Sequence, residues 1–300
     1  MDTQQPLPPR EKIKKAKEAI LKLFYEEGLL VAYDRELRYR LETQFPHDYI
    51  GEAIRQLKES GELKPTNVPG RKGAADMPNS FYRLSASNYL ELLPIMRKKL
   101  DLSIFITGVS REMGRHAELA WWRAFKRNGY EVYPSSEQDY GGAVNEYKGR
   151  KASINHDIDF IASKDGVDYG IEVKNGLNYP DDLYWKFTVA AELNTIPLII
   201  ARWLNPAQIP LIEELGGKYL VYKEAIYSTA YKTIIEEIRT LMKLPVEARD
   251  EIDDNYFRLK MQEIHSQVLN NYADKKARLQ RYLVNLRTDL NVRRTLGDKR

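Results

Sequence analysis

The chain has 300 residues, enough for two or three domains that each bury a core. Its formal net charge of +4 permits contact with nucleic acid without arguing for it, and the absence of cysteine excludes disulfide frameworks, zinc ribbons and thiol nucleophiles. Met1 to Pro6 lacks the basic and apolar parts of a signal peptide, and no run approaches the roughly 20 apolar residues of a membrane span, so a soluble, cytoplasmic protein is expected.

Residues 1–88 read as one small domain. Ile13, Ala16, Ala19, Ile20, Leu23 and Phe24 recur at helical spacing, and Gly28 is the expected stop. Asp34 is placed to cap a short second helix carrying Arg35, Leu37, Arg38 and Leu41. A third helix is predicted from Pro46-His47-Asp48 through Ile50, Ala53, Ile54 and Leu57 to Gly61. Two short strands follow, Glu62-Leu63-Lys64 and Phe81-Tyr82-Arg83-Leu84, separated by a loop rich in Gly, Pro and Asn. Three helices and a two-stranded ribbon resemble a winged helix-turn-helix domain. The resemblance implies a third helix in the major groove of double-stranded DNA, with a wing beside it. The candidate contacts are Arg35, Arg38 and Arg40, then Arg55 and Lys58, and in the wing Lys64, Arg71 and Lys72. Glu52 and Glu59 share the third helix, so phosphate contacts are better supported than base readout.

Residues 89–110 read as a connecting helix or linker, and 111–228 as a domain of alternating helices and strands. An amphipathic helix is predicted over 112–129, with Ala117, Leu119, Ala120, Trp122 and Phe125 inward; Trp121 is also expected in the core. Glu131-Val132-Tyr133 is a short strand, and 135–155 a long polar loop. Pro180-Asp181 opens a helix bearing Tyr184, Trp185, Lys186 and Phe187. Ile196 to Ala201 reads as a buried strand and Lys218 to Tyr222 as another. From 229 to 300 the chain is helical and increasingly basic, with Lys275, Lys276, Arg278, Arg281, Arg287, Arg293, Arg294, Lys299 and Arg300. This region is expected to form a dimer contact or to touch DNA. The fold class expected is α/β or α+β.

The most informative segment is the pair Asp165-Gly166. It separates two alternating runs, Asp157-Ile158-Asp159-Phe160-Ile161-Ala162 and Tyr169-Gly170-Ile171-Glu172-Val173-Lys174, and so predicts a hairpin. Pairing Lys164 with Val167 sets Asp159 opposite Glu172 and Asp157 opposite Lys174, all on one face. Ile158, Phe160, Ile171 and Val173 then face a core. Facing carboxylates repel, which a sheet ordinarily avoids, and a bound divalent cation removes the conflict. Asp157 is expected to pair with Lys174, with a second metal as the other option, and His156 to be structural.

Asp159, in Asp157-Ile158-Asp159-Phe160, and Glu172-Val173-Lys174 resemble the PD-(D/E)XK nuclease superfamily over residues 111–225. Glu118, in Gly114-Arg115-His116-Ala117-Glu118, matches a further acid that members carry on the helix before the sheet. The separation of Glu118 from Asp159 is long, with the 135–155 loop looking like an insertion, and the proline before the aspartate is absent. The resemblance implies a restriction-endonuclease-like mixed central sheet flanked by helices. It also implies Asp159, Glu172 and Glu118 as ligands of Mg2+ (or Mn2+), with Lys174 orienting or deprotonating water, or stabilising charge on phosphate. On the following helix, Lys186 and Tyr184 lie where related nucleases often place a polar residue toward the site. The expected activity is Mg-dependent endonucleolytic hydrolysis of double-stranded DNA, restriction-type, by a homodimer that supplies two active sites. A structure-selective repair nuclease and a non-catalytic DNA-binding regulator are the alternatives.

Overall fold

The computed structural model describes residues 8–73, 79–176 and 180–297, with side chains described throughout except at 180–182, 287 and 289–297. Expectations placed on Met1 to Pro6, on the side chain of Asp181, and on Arg287, Arg293, Arg294, Lys299 and Arg300 fall outside that set. The chain is mixed α and β, and it divides into two compact units: residues 1–111 with 230–248, and residues 112–229 with 249–300.

In the first unit, α1 (Pro9–Tyr25) buries Ala16, Ile20, Leu23 and Phe24, the stripe that the spacing predicts. Strand β1 (Ala32–Tyr33) leads directly into α2 (Asp34–Leu41), and α3 (His47–Glu59) buries Ile50, Ala53, Ile54 and Leu57. Strands β2 (Leu63–Thr66) and β3 (Phe81–Leu84) pair antiparallel, and β1 adds to β3 to give the order β1-β3-β2. The ribbon expected from sequence is therefore three-stranded; a two-residue strand leaves no periodic pattern to read. Asp34 does not cap α2. It is the first helical residue, Tyr33 holds the cap position, and the Asp34 carboxylate instead accepts from Arg38 Nε at 2.5 Å one turn on.

Helix α4 (Tyr89–Arg127) is continuous where the sequence suggests a linker and then a helix. Pro94, the residue most able to interrupt it, and Gly108 and Gly114 are all tolerated within the helix. Its first part is core rather than connection, since Leu92, Met96, Leu100 and Ile106 are buried. Lys99 is buried there too, donating to Val31 O at 2.7 Å and to both oxygens of buried Glu36 at 2.8 Å. Burial pushes the Glu36 carboxyl up and the Lys99 ammonium down, each held charged by the other. Removing one partner of such a pair costs about 3–5 kcal/mol.

The second unit takes the remainder of α4 and builds one five-stranded sheet. Its strands are β4 (Glu131–Tyr133), then, after a small hairpin of β5 (Glu146–Tyr147) and β6 (Arg150–Lys151), β7 (Phe160–Lys164) and β8 (Val167–Lys174). Helix α5 (Pro180–Glu192), β9 (Ile196–Ala201), α6 (Gln208–Glu214) and β10 (Lys218–Val221) follow. The order is β10-β9-β8-β7-β4, with β8, β9 and β10 parallel and the rest antiparallel. All six residues of β9 are buried, as a continuous apolar run in a parallel setting requires.

Helix α7 (Lys232–Leu241) belongs to the first unit, where Lys98 Nζ reaches Glu237 Oε1 at 2.7 Å. The helices α8 (Asp254–Asn270) and α9 (Tyr272–Gly297) belong to the second. The stretch 229–300, read from sequence as one region, is thus divided near residue 248. Leu279 and Leu283 of α9 enter the core of the second unit, and Tyr282 Oη donates to Tyr184 O on α5 at 3.2 Å. Part of the helical surface expected for a dimer contact is therefore spent inside the chain. Among the described residues no helix is long and apolar enough to cross a membrane.

Candidate active site

The hairpin forms in the register that the sequence predicts. Lys164 pairs with Val167 and Phe160 with Ile171, where the ladder ends; Asp159 N then donates to Ile171 O at 2.9 Å, out of step with the expected pairing of Asp159 with Glu172. Asp165 and Gly166 both hold positive φ, +49° and +76°, the conformation a tight two-residue turn demands. Phe160, Ile171 and Val173 lie together in one core cluster, but Ile158, expected beside them, packs in a second cluster with Ile161, Val189 and Leu193: the alternation breaks at Asp159, just before β7.

Neither acid lies in solvent: Asp159 is 6 % exposed and Glu172 2 %. Asp159 Oδ2 accepts from Val173 N at 2.6 Å, locking the carboxylate against the neighbouring strand. Burial, followed by the charges of Glu172 and Glu118, drives the Asp159 carboxyl well above the ordinary range. Glu118 on α4 is raised as well, by burial and then by Glu172. Asp159 and Glu118 are thus both raised, with the Glu172 charge contributing to each, an arrangement found more often at functional sites than in structural cores.

Two lysines answer them. Lys174 Nζ lies 2.8 Å from Glu172 Oε1, and Lys186 Nζ, from α5, lies 3.0 Å from Oε2 of the same carboxylate. The second contact is an ion pair out of line for hydrogen bonding, so buried Oε2 has no hydrogen-bond partner among the described residues. For both lysines burial works against the charge, but the Glu172 carboxylate outweighs it and holds them above the usual ammonium value. Lys174 is thereby kept protonated, which suits orientation and charge stabilisation better than proton abstraction. Asp157 pairs with Lys186 at 3.1 Å, replacing the expected pair with Lys174: the latter reaches along its own strand to Glu172.

Several contributors escaped sequence reasoning. Tyr140 comes from the loop that looked like an insertion, and its hydroxyl donates to Glu118 Oε2 at 3.4 Å. Arg115 Nη2 holds Tyr140 in turn through its carbonyl at 2.7 Å. An aromatic before Gly141-Gly142 in an otherwise polar loop was the available signal. Asn175 follows Lys174 immediately and ties down the end of β8: it donates to Met113 O at 3.1 Å and Ile226 O at 2.8 Å. Its side-chain oxygen accepts from Ile226 N at 2.7 Å and Tyr222 Oη at 3.0 Å. No local pattern marks that role.

The donor set fits a hard divalent cation in part. Asp159 and Glu172 offer buried, mutually repelling oxygens, one of them without a hydrogen bond. Glu118 does not complete a cage with them: among the described residues no three Asp, Glu or His side chains are grouped to hold a metal. Its near partner is Tyr140.

The expected DNA contacts of the first unit separate by partner. Arg55 is bound by Glu52 and Glu59 at 2.5 Å each, Arg71 by Asp101 at 2.5 Å, and Arg38 by Asp34. Arg40 is turned onto buried Glu36 at 2.9 Å, and Arg35 Nε donates to Tyr39 Oη at 3.0 Å. Lys58, resting over the Tyr82 ring, and Lys64 and Lys72 are exposed and form no ion pair among the described residues. Trp121 and Trp122 pack in the core of the second unit as expected, whereas His156 is exposed and stacked on Trp185.

No protein-family model matches the chain, and no curated protein is significantly similar to it.

Proposed function

We propose that the second unit is a metal-dependent phosphodiesterase of the restriction-endonuclease-like type acting on DNA, and that the first is a winged-helix DNA-binding unit. The observation that carries this reading is the burial of Asp159, just before β7, and of Glu172, on β8, with Lys174 2.8 Å from Glu172. Folding gains nothing from burying Asp159 against the charge of Glu172, so the arrangement calls for a functional reason.

Asp159 and Glu172 would hold a Mg2+ or Mn2+ ion, which when bound supplies charge neutralisation at the phosphate and acidifies a water. Everything else is done by the chain itself. The Val173 N–H fixes Asp159 in place, so the carboxylate loses no freedom on binding. Lys174, held charged, orients water and stabilises negative charge growing on the phosphate oxygens. Asn175 positions Lys174 by pinning the strand behind it, and Tyr140 orients Glu118. Lys186 balances Glu172 from the helix side. The resemblance implies products with a 5′-phosphate and a 3′-hydroxyl. Cutting both strands calls for two sites, hence a homodimer, with a cytoplasmic setting to match.

Incubation of plasmid DNA with magnesium tests the proposal. Nicking or linearisation is expected, abolished by EDTA and by Asp159→Ala, and reduced roughly 100- to 1,000-fold in Lys174→Gln. A chain that binds DNA but leaves it intact under every divalent-metal condition would be a regulator, and the hydrolase reading would fall.

A further inference from the structure

Beside the acids, two aromatic rings are stacked in the open. The imidazole of His156 lies parallel to the indole of Trp185, with centroids 5.1 Å apart and planes at 4°. His156 is exposed, Trp185 is 38 % exposed, and Tyr184 next to it is 41 % exposed. Large aromatic surface left in water is unfavourable, by about 25 cal/mol per Å². The other three tryptophans are better covered: Trp121 and Trp122 are buried and Trp203 is partly so.

The stack is continuous with the candidate site. His156 is followed by Asp157 and Trp185 by Lys186; those two form an ion pair of 3.1 Å, and Lys186 reaches Glu172 at 3.0 Å. The platform is therefore anchored, from both of its chain segments, to the carboxylate that the hydrolase reading uses. Lys186 is held between two acids, so the platform offers a flat π-surface with little net positive charge. Such a surface suits the face of a neutral ring better than a phosphate.

We propose that His156 and Trp185 form a stacking platform for an unpaired nucleobase next to the scissile phosphate. The preferred substrate is then a DNA strand with at least one base out of the duplex stack. This rests on the nuclease reading for the identity of its occupant. A third ring placed on a ready-made pair pays little ordering entropy, and base–aromatic stacking is sequence-tolerant because every base has a π-face. Trp185 and His156 act by positioning the strand; the chemistry remains with the acids and Lys174.

The test uses the full chain in EDTA, so that no strand is cut, and follows the anisotropy of an end-labelled eight-residue oligothymidylate or blunt duplex of equal length, with tryptophan quenching of the wild type read in parallel. Quenching is expected with the single strand at lower concentration than with the duplex. Trp185→Leu should weaken single-strand affinity roughly 5- to 150-fold, the range of one lost base stack, while Trp185→Phe keeps most of it. His156→Ala should give a smaller loss. Equal affinities of wild type and Trp185→Leu, or equal quenching by single strand and duplex, overturn the platform. Duplex cleavage with magnesium in those same preparations would leave the hydrolase reading standing. Single-strand affinity lost in Trp185→Leu, without hydrolysis of any substrate, would keep the platform and remove the hydrolase.

Discussion

Asp159 sets stability against function. Its carboxyl is raised well above the ordinary value, first by burial and then by Glu172 and Glu118, so the folded chain binds that proton more tightly than the unfolded chain does. Stability from this group is therefore greatest at acid pH, and it falls as pH rises through the unfolded value near 3.9 toward the folded one. Asp159→Asn keeps an oxygen to accept from Val173 N but removes the charge. The variant should gain about 1–2 kcal/mol in urea unfolding at neutral pH and show a flatter pH profile, while losing magnesium-dependent cleavage. An asparagine variant less stable than wild type at neutral pH would mean that Asp159 is held by partners stronger than its repulsions.

Among elements, β8 carries the most. It is central in the sheet, ends in Glu172 and Lys174, and is closed by Asn175. It also contains Gly170, which is there for space: a Cβ at that position would overlap Thr195 Oγ1 and crowd Ile158 and Ala190. Gly170→Ala should cost roughly 1–3 kcal/mol by overpacking and shift the neighbouring Ile171–Glu172 segment. Thermal unfolding checks the first effect; a fall in kcat with little change in KM checks the second. The hairpin turn behaves oppositely, because its geometry is local. Asp165-Gly166 and the alternation around it state the register openly, and the structure follows it from Lys164–Val167 to Phe160–Ile171.

Across the molecule, charge is arranged more narrowly than the net value of +4 suggests. Of the cations expected to touch DNA, Arg38, Arg55 and Arg71 are already neutralised by neighbouring acids, whereas Lys58, Lys64 and Lys72 are exposed and without an ion pair among the described residues. If this surface meets phosphates, changing those three lysines to alanine should flatten the dependence of log Kobs on log salt by about 0.9 per lost contact, up to about 2.7. Arg55→Ala, which removes a compensated charge, should change the slope far less. Filter binding or anisotropy between low and physiological salt measures both.

What the linear chain determined is what short-range rules control. The stripes of α1 and α3, the buried run of β9, and the hairpin register from Lys164–Val167 to Phe160–Ile171 follow from periodicity and turn chemistry acting over a few residues. Folding in three dimensions decided the partners. Tyr140 reaches Glu118 from a distant loop, Lys186 rather than Lys174 meets Asp157, and Lys99 enters the core to meet Glu36. The same holds for the arginines that looked free for DNA but are claimed by nearby acids. Backbone geometry repeats with a fixed period and so shows in a sequence. The pairing of long charged side chains depends on which surfaces are brought together after the elements have formed, and no period encodes it.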